Sequence, residues 1–352
     1  MADRYLRSLD EHGDLPEIHP EVEASDQVIE AMQHLDRHPD SLMRWPFHAL
    51  NELTGPMGPG EVWYVCAFSG GGKTTFVGSV VNRWREQRKR VYVMPLELQS
   101  WRFRLYLACM ALEIHPGDAL SGNLRAMPNG EAMRKALHAE IMAQAKKPYV
   151  EHVRVSSQRA INLRGLESGL MDAKAFGADV VIIDHIDHIE PNAGASNNGY
   201  ADAKAVNHAA LRMAQDNGLL LVCTSQLNNA IVSNGQDHLA RYQAPREHHV
   251  LMGGKKREVA TGMIGLFRPI RAKAMVESPE DYASALKAAR SGMAEPHTVL
   301  EPHVVGVNAM KLRNYGQKEG QRVTLAFENG RVTDLPEKDQ WETGTYYPRK
   351  VV

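Results

Sequence analysis

Solid apolar runs alternate with amphipathic stretches through the middle of the chain. The runs are Val62-Trp63-Tyr64-Val65-Cys66, Val91-Tyr92-Val93-Met94-Pro95-Leu96, Val180-Val181-Ile182-Ile183 and Leu219-Leu220-Leu221-Val222-Cys223. A strand covered on both faces has no need of polar alternation, so each run predicts an interior strand. Residues 76–84, a stretch ending near Met110, and residues 130–146, 162–176 and 200–216 read as helices, and Tyr149–Val155 as one further strand. Strands of this kind alternating with helices predict an α/β fold: a mainly parallel twisted sheet with helices on both faces.

The pattern changes after Gln226. Residues 228–257 are polar, with Asn228, Asn229, Asn234, His248 and His249, and read as a long surface loop; long loops in compact domains are usually functional. The His248-His249 pair is expected to be solvated, or to touch a nucleic-acid phosphate. A strand at 263–267 follows, then an amphipathic helix opened by Ser278-Pro279-Glu280 and closed by Gly292. Residues 303–312 and 321–327 read as a hairpin turned by Gly316–Gly320.

At the other end, residues 1–24 form an acidic polar arm. Ser25 caps a helix over 26–37, whose Val28, Ile29, Met32 and Leu35 make one apolar stripe. Such a stripe must bury against its own domain or a neighbouring subunit. Residues 45–61 form a lead-in whose final turn, Met57–Glu61, delivers the first strand. The chain thus divides into an arm and linker helix (1–44), a main α/β domain (45–334) with an insertion at about 269–300, and a tail (335–352).

Between the first strand and the first helix lies Ala67-Phe68-Ser69-Gly70-Gly71-Gly72-Lys73-Thr74-Thr75. Strand, glycine-rich turn and helix is the context of a phosphate-binding loop. Ser69, Gly70, Gly71 and Gly72 let backbone N–H groups converge on a polyphosphate, and the following helix adds the positive end of its dipole. Lys73 sets an ammonium between the β- and γ-phosphates, the Thr74 hydroxyl ligates Mg²⁺, and Thr75 completes the loop. The implied ligands are ATP and Mg²⁺. The motif's usual opening glycine is Ala67 here.

Three carboxyl or amide groups end the strands beside that loop. Asp184 is where a second Mg²⁺-binding group belongs. Glu97 is placed to polarise the water that attacks the γ-phosphate. Gln226 can touch the γ-phosphate and report its presence to the loop that follows, or serve as an ordinary capping amide. Lys311 and Arg313 are two apart on a predicted strand and so share a face. They could pair with phosphate oxygens, although by pattern alone a solvated strand end is the simpler reading. Asp184-His185-Ile186-Asp187-His188 has metal-ligand residue types without the helical spacing of a zinc site.

Composition narrows the class. A chain of 352 residues with 43% hydrophobic content can bury a real core. The formal net charge of −1 leaves nucleic-acid contact to a local patch. Cys66, Cys109 and Cys223 form no CxxC pair and are expected as buried free thiols in a reducing compartment. No apolar run approaches membrane-spanning length and the N-terminus lacks a signal core, so a soluble cytoplasmic protein is expected.

Taken together, Gly58-Pro59-Gly60-Glu61, the loop 67–75 with its opening alanine, Pro95-Leu96-Glu97-Leu98, Ile182-Ile183-Asp184, Ser225-Gln226-Leu227-Asn228 and Lys311-Leu312-Arg313-Asn314 resemble the motor domain of DnaB-like replicative helicases over residues 45–333. The resemblance implies a RecA-like P-loop ATPase working as a hexameric ring, with ATP between subunits and 5′-to-3′ movement on single-stranded DNA. Lys73, Thr74, Glu97, Asp184 and Gln226 would act in cis. Lys311 and Arg313 would be the lysine and arginine finger acting on the neighbour's ATP. Lys255, Lys256 and Arg257 would lie near the single-stranded DNA backbone, which cations beside glycines can track without reading sequence. Primase or a loader is an implied partner, although the family's primase-recruiting N-terminal domain has no room here. The helix at 26–37 matches the linker helix that docks on the adjacent subunit. Two rivals remain: a recombinase-like filament ATPase, told apart by filaments instead of rings, and a nucleotide-gated loader or scaffold, told apart by turnover indifferent to DNA.

Overall fold

The computed structural model describes residues 28, 29, 32, 33, 42–157, 162–191, 199–228, 244–251, 253–267, 270–272, 298–300, 304–314, 316–328 and 330–334. Two compact units result, Met1–Leu42 and Met43–Val352. In the first, Val28, Ile29 and Met32 lie in a helix and are exposed. The predicted polar arm, the helix at 278–292 and the tail at 335–352 lie outside the described residues.

The strands of the second unit are β1 (Val62–Ala67), β2 (Val91–Pro95), β3 (Val153–Val155), β4 (Val180–Asp184), β5 (Leu221–Gln226), β6 (Gly262–Phe267), β7 (Ile270–Ala272), β8 (Thr298–Leu300), β9 (Val304–Leu312), β10 (Arg322–Glu328) and β11 (Arg331–Thr333). Nine of them form one sheet in the order β11-β10-β9-β6-β1-β5-β4-β2-β3. The pairs from β3 across to β6 are parallel; β9, β10 and β11 add an antiparallel edge. β7 and β8 form a separate antiparallel pair.

The helices are α1 (His48–Thr54), α2 (Lys73–Glu86), α3 (Ser100–Ala111), α4 (Pro116–Ser121), α5 (Gly130–Ala143), α6 (Tyr149–His152), α7 (Leu163–Phe176), α8 (Gly199–Asn217) and α9 (Gly253–Val259). Alternate residues of β1 serve the two faces of the sheet. Trp63, Val65 and Ala67 join the core formed with α1, α2 and α3, where Phe76, Val80 and Trp84 of α2 are buried. Val62, Tyr64 and Cys66 join the core formed with α7, α8 and α9. Tyr64 also ties strand to helix, donating its hydroxyl to Asn207 Oδ1 of α8 at 2.6 Å. All three cysteines are free and buried, and burial pushes the Cys66 thiol up to about 12. Among the described residues, no helix is long and apolar enough to cross a membrane.

Two readings of the sequence need correction, and the lead-in gains an element. The lead-in contains a helix, α1, held by a bridge between Met43 and Met57 and by Trp45 stacked on Trp84 with ring centroids 5.8 Å apart. The strand expected over 149–155 is only Val153–Val155, because Tyr149–His152 makes one helical turn after Pro148. The polar stretch after Gln226 does not stay a loop to 257: Gly253–Val259 is helical, with Val259 buried against the sheet.

Candidate functional site

β1 ends at Ala67 and α2 starts at Lys73, so Phe68–Gly72 make the turn between them. Gly70 and Gly72 hold φ of 72° and 90°, the left-handed region that a side chain disfavours. Gly71 is required for a different reason. A Cβ there would stand 2.8 Å from the Phe68 carbonyl oxygen and 2.9 Å from the Ala67 Cβ. Ser69 and Gly70 form the exposed tip. Lys73 is buried and donates to the Ala67 carbonyl at 3.2 Å, so its ammonium lies across the mouth of the turn. Burial pushes its pKa down, while the Glu97 and Asp184 carboxylates pull it partly back. A polyphosphate entering this turn would meet a cation short of solvent.

Parallel strands bring the other groups to the same edge. The register sets Ala67 beside Gln226 and Pro95 beside Asp184. Asp184 is fully buried, and its Oδ1 accepts from Thr224 Oγ1 at 2.6 Å. Its Oδ2 is buried with no hydrogen-bond partner, although Thr74 lies close enough for its hydroxyl to favour the ionised form. Burial dominates and pushes the Asp184 pKa up, with the Glu97 charge adding to it and Thr224 opposing. An orphaned carboxylate oxygen beside a threonine hydroxyl is a donor set that Mg²⁺ would complete.

Glu97 follows β2 and is half-exposed. Its backbone N–H donates to the Asp184 carbonyl at 3.0 Å, and its carboxylate lies 3.7 Å from His185 Nε2. Burial pushes His185 down to about 4, so the ring is neutral at physiological pH, and the Lys73 ammonium is the cation that feels the Glu97 charge. His185 stacks on His188 with centroids 4.0 Å apart.

Asp187 is a centre that sequence reasoning missed. Its Oδ2 accepts from the Gln226 backbone N–H at 2.8 Å and from Ser225 Oγ at 3.0 Å, and its Oδ1 lies 2.6 Å from Lys256 Nζ on α9. Burial alone would push its carboxyl up; the Lys256 ammonium and these hydrogen bonds overcome it and leave the pKa below the ordinary value. Lys256 is 2% exposed and also donates to the Leu251 carbonyl at 2.7 Å. It is therefore held as a buried ion-pair partner, without the solvent exposure that contact with a DNA backbone needs, which corrects the expectation for this residue. Its neighbours are nearer solvent: Lys255 pairs with Glu258 at 2.6 Å and Arg257 with Glu319 at 3.7 Å. His249 is buried as well. Its ring faces Phe68 of the phosphate loop at 6.1 Å, and its carbonyl accepts from the Asn228 N–H at 2.7 Å. A solvated His249 is thus also corrected. No periodicity announces any of these contacts; the only cue for Asp187 is its place just beyond a strand that ends in a functional aspartate.

Lys311 and Arg313 come together at the end of β9, away from their own phosphate loop. Lys311 pairs with Met263, which stands beside Tyr64, and the loop leaves β1 three residues further on, at Ala67. Both side chains reach instead to the C-terminal end of α9. The Lys311 ammonium donates to the carbonyls of Arg257 and, at 2.6 Å, Ala260; the Arg313 guanidinium lies 3.4 Å from the Glu258 carbonyl. Cations at a helix C-terminus satisfy its open carbonyls and oppose its dipole.

Comparison with known proteins agrees with this architecture. The model of the DnaB-like helicase C terminal domain matches residues 43–239. Among solved structures, one ATPase domain superposes with a TM-score of 0.66 at 16% identity, covering 89% of this chain and 98% of that one. A DnaB-like replicative helicase, described with its interactions with primase, superposes with a TM-score of 0.63 at 16% identity, covering 95% of this chain and 71% of that one. No curated relative matches the sequence. At such identities the superpositions speak for the fold, a RecA-like arrangement. The family match spans more than half the chain and takes in the phosphate loop, Glu97, Asp184 and Gln226; on that match the chain belongs to the DnaB-like helicases, a family of ATP-hydrolysing DNA helicases.

Proposed function

We propose that this chain is an ATP-driven, ring-forming translocase that moves on single-stranded DNA, 5′ to 3′ as its family implies, and hydrolyses ATP between subunits. The observation that carries the reading is a division of labour across the sheet. Lys73, Thr74, Glu97, Asp184 and Gln226 share one edge, whereas Lys311 and Arg313 stand too far off to serve the same nucleotide. A second subunit bringing its Lys311 and Arg313 to that edge would complete the site. Head-to-tail repetition of such a contact generates a ring.

In this mechanism the phosphate-loop N–H groups and Lys73 bind the β- and γ-phosphates. Thr74 and Asp184 would hold Mg²⁺, which supplies charge neutralisation to the transferring phosphoryl group. Glu97, held at the end of β2 by its backbone bond to the Asp184 carbonyl, orients and polarises the attacking water. Gln226 senses the γ-phosphate. The partner's Arg313 would stabilise charge in the transition state, where such a group typically contributes on the order of 10³–10⁵ in rate.

Lys255 and Arg257 are the cations of α9 closest to solvent and are proposed to contact the DNA backbone. The exposed Val28, Ile29 and Met32 are proposed to dock on an adjacent subunit, and primase or a loader is a proposed partner. Unwinding assays with a 5′ or a 3′ single-stranded tail, run beside particle imaging, test the reading. Six-fold rings that unwind the 5′-tailed substrate support it. Open filaments favour a recombinase, and monomers indifferent to DNA favour a loader.

A further inference from the structure

The buried pair Asp187–Lys256 joins two parts of the machinery. On one side, Asp187 accepts from the N–H of Gln226 and lies 3.5 Å from His185 Nδ1, whose other nitrogen faces Glu97. On the other side, Lys256 belongs to α9, whose last carbonyls hold Lys311 and Arg313. The ion pair thus runs from α9 to the ends of β4 and β5.

We propose that Asp187 and Lys256 are positioning residues that tie the chain's own nucleotide site to the Lys311–Arg313 pair it offers its neighbour. A γ-phosphate that draws Gln226 inward moves the Asp187 carboxylate with it. Because Lys256 is buried and its ammonium is shared between Asp187 and Leu251, α9 must follow or lose a buried charge pair, which is costly. Movement of α9 carries the carbonyls on which Lys311 and Arg313 rest. Occupancy of one site thereby sets the posture of the cations serving the next. The inference rests on the assembly proposed above.

The test compares wild type, Lys256→Met, and the double variant Asp187→Asn/Lys256→Met. The single variant strands a buried carboxylate and should melt well below wild type. The double variant removes both charges, keeps the volume of each side chain and leaves an amide oxygen to accept from the Gln226 N–H and Ser225 Oγ, so its Tm should return close to wild type. Hydrogen exchange over residues 253–260 is then followed with and without a non-hydrolysable ATP analogue, alongside the Hill coefficient for ATP. The pair acts in positioning if the analogue slows exchange in wild type at least several-fold but not in the double variant, and if cooperativity falls towards one while analogue binding is retained. A double variant that regains both Tm and the nucleotide response would show the pair to be merely structural. The exchange readout needs neither ring nor DNA. Wild-type α9 that responds to analogue in a protein forming no rings would sink the assembly reading and leave the link standing. Intact rings and turnover with an unresponsive α9 would overturn the link alone.

Discussion

Arg313→Ala gives the sharpest view of whether the site is composite. The register places Lys311 level with Tyr64 on β1, two strands over. Three residues of strand rise and two strand spacings then separate it from Ala67, about 10 Å in each direction and so about 14 Å in all. Arg313 lies further still along the chain from the loop. An arginine side chain does not span that distance, so its loss should leave ATP affinity intact while lowering turnover by on the order of 10³–10⁵. Glu97→Gln should be comparably inactive with its finger whole. If the two variants mix at random in rings, about a quarter of interfaces pair an intact Glu97 with an intact Arg313, because each head-to-tail interface takes one residue from each side. ATP hydrolysis by the equimolar mixture should therefore recover to about a quarter of wild type, from two components that are each nearly silent. A mixture no more active than its components, or wild-type turnover by Arg313→Ala alone, would refute the reasoning.

Other perturbations probe separate links. Gly71→Ala pushes a Cβ to 2.8 Å from the Phe68 carbonyl oxygen, and a strain of about 1–3 kcal/mol in the loop should weaken ATP binding roughly ten- to hundredfold by calorimetry; an unchanged Kd would contradict the close approach. Nucleotide should raise the wild-type Tm more with Mg²⁺ than with a chelator, whereas Asp184→Asn should show the same rise under both conditions. Mg²⁺-dependent stabilisation surviving in that variant would remove Asp184 from the metal site. Tyr64→Phe strands the buried Asn207 Oδ1 and should cost about 1–2 kcal/mol in urea unfolding. ATP affinity should hold, because α8 covers the face opposite α2, and a loss of affinity without loss of stability would count against that separation.

The interior strands were legible because burial on both faces leaves only apolar residues, and β1, β2, β4 and β5 are buried throughout but for Gln226. The phosphate loop was legible because its chemistry demands small residues in sequence. The terminal hairpin, β9 and β10, followed from two strand-like runs and a glycine turn. What escaped depends on partners distant in sequence. An ammonium in Gly253-Gly254-Lys255-Lys256-Arg257 reads as a solvated cation, and only the fold brings Asp187 to bury Lys256. His249 likewise looks like a loop residue until Phe68 is set against it. The helix α9 was hidden by its opening glycines and charge, since what anchors it is an ion pair and Val259 instead of an apolar stripe. Short turns such as Tyr149–His152 carry too few residues to reveal a period.

The most direct measurement is steady-state ATP hydrolysis by the wild-type chain with and without single-stranded DNA, with Lys73→Ala as the control. Mg²⁺-dependent turnover that single-stranded DNA stimulates and that Lys73→Ala abolishes is the expected result. Turnover that ignores DNA, or that survives loss of the Lys73 ammonium, would contradict a DNA-driven ATPase built on this loop.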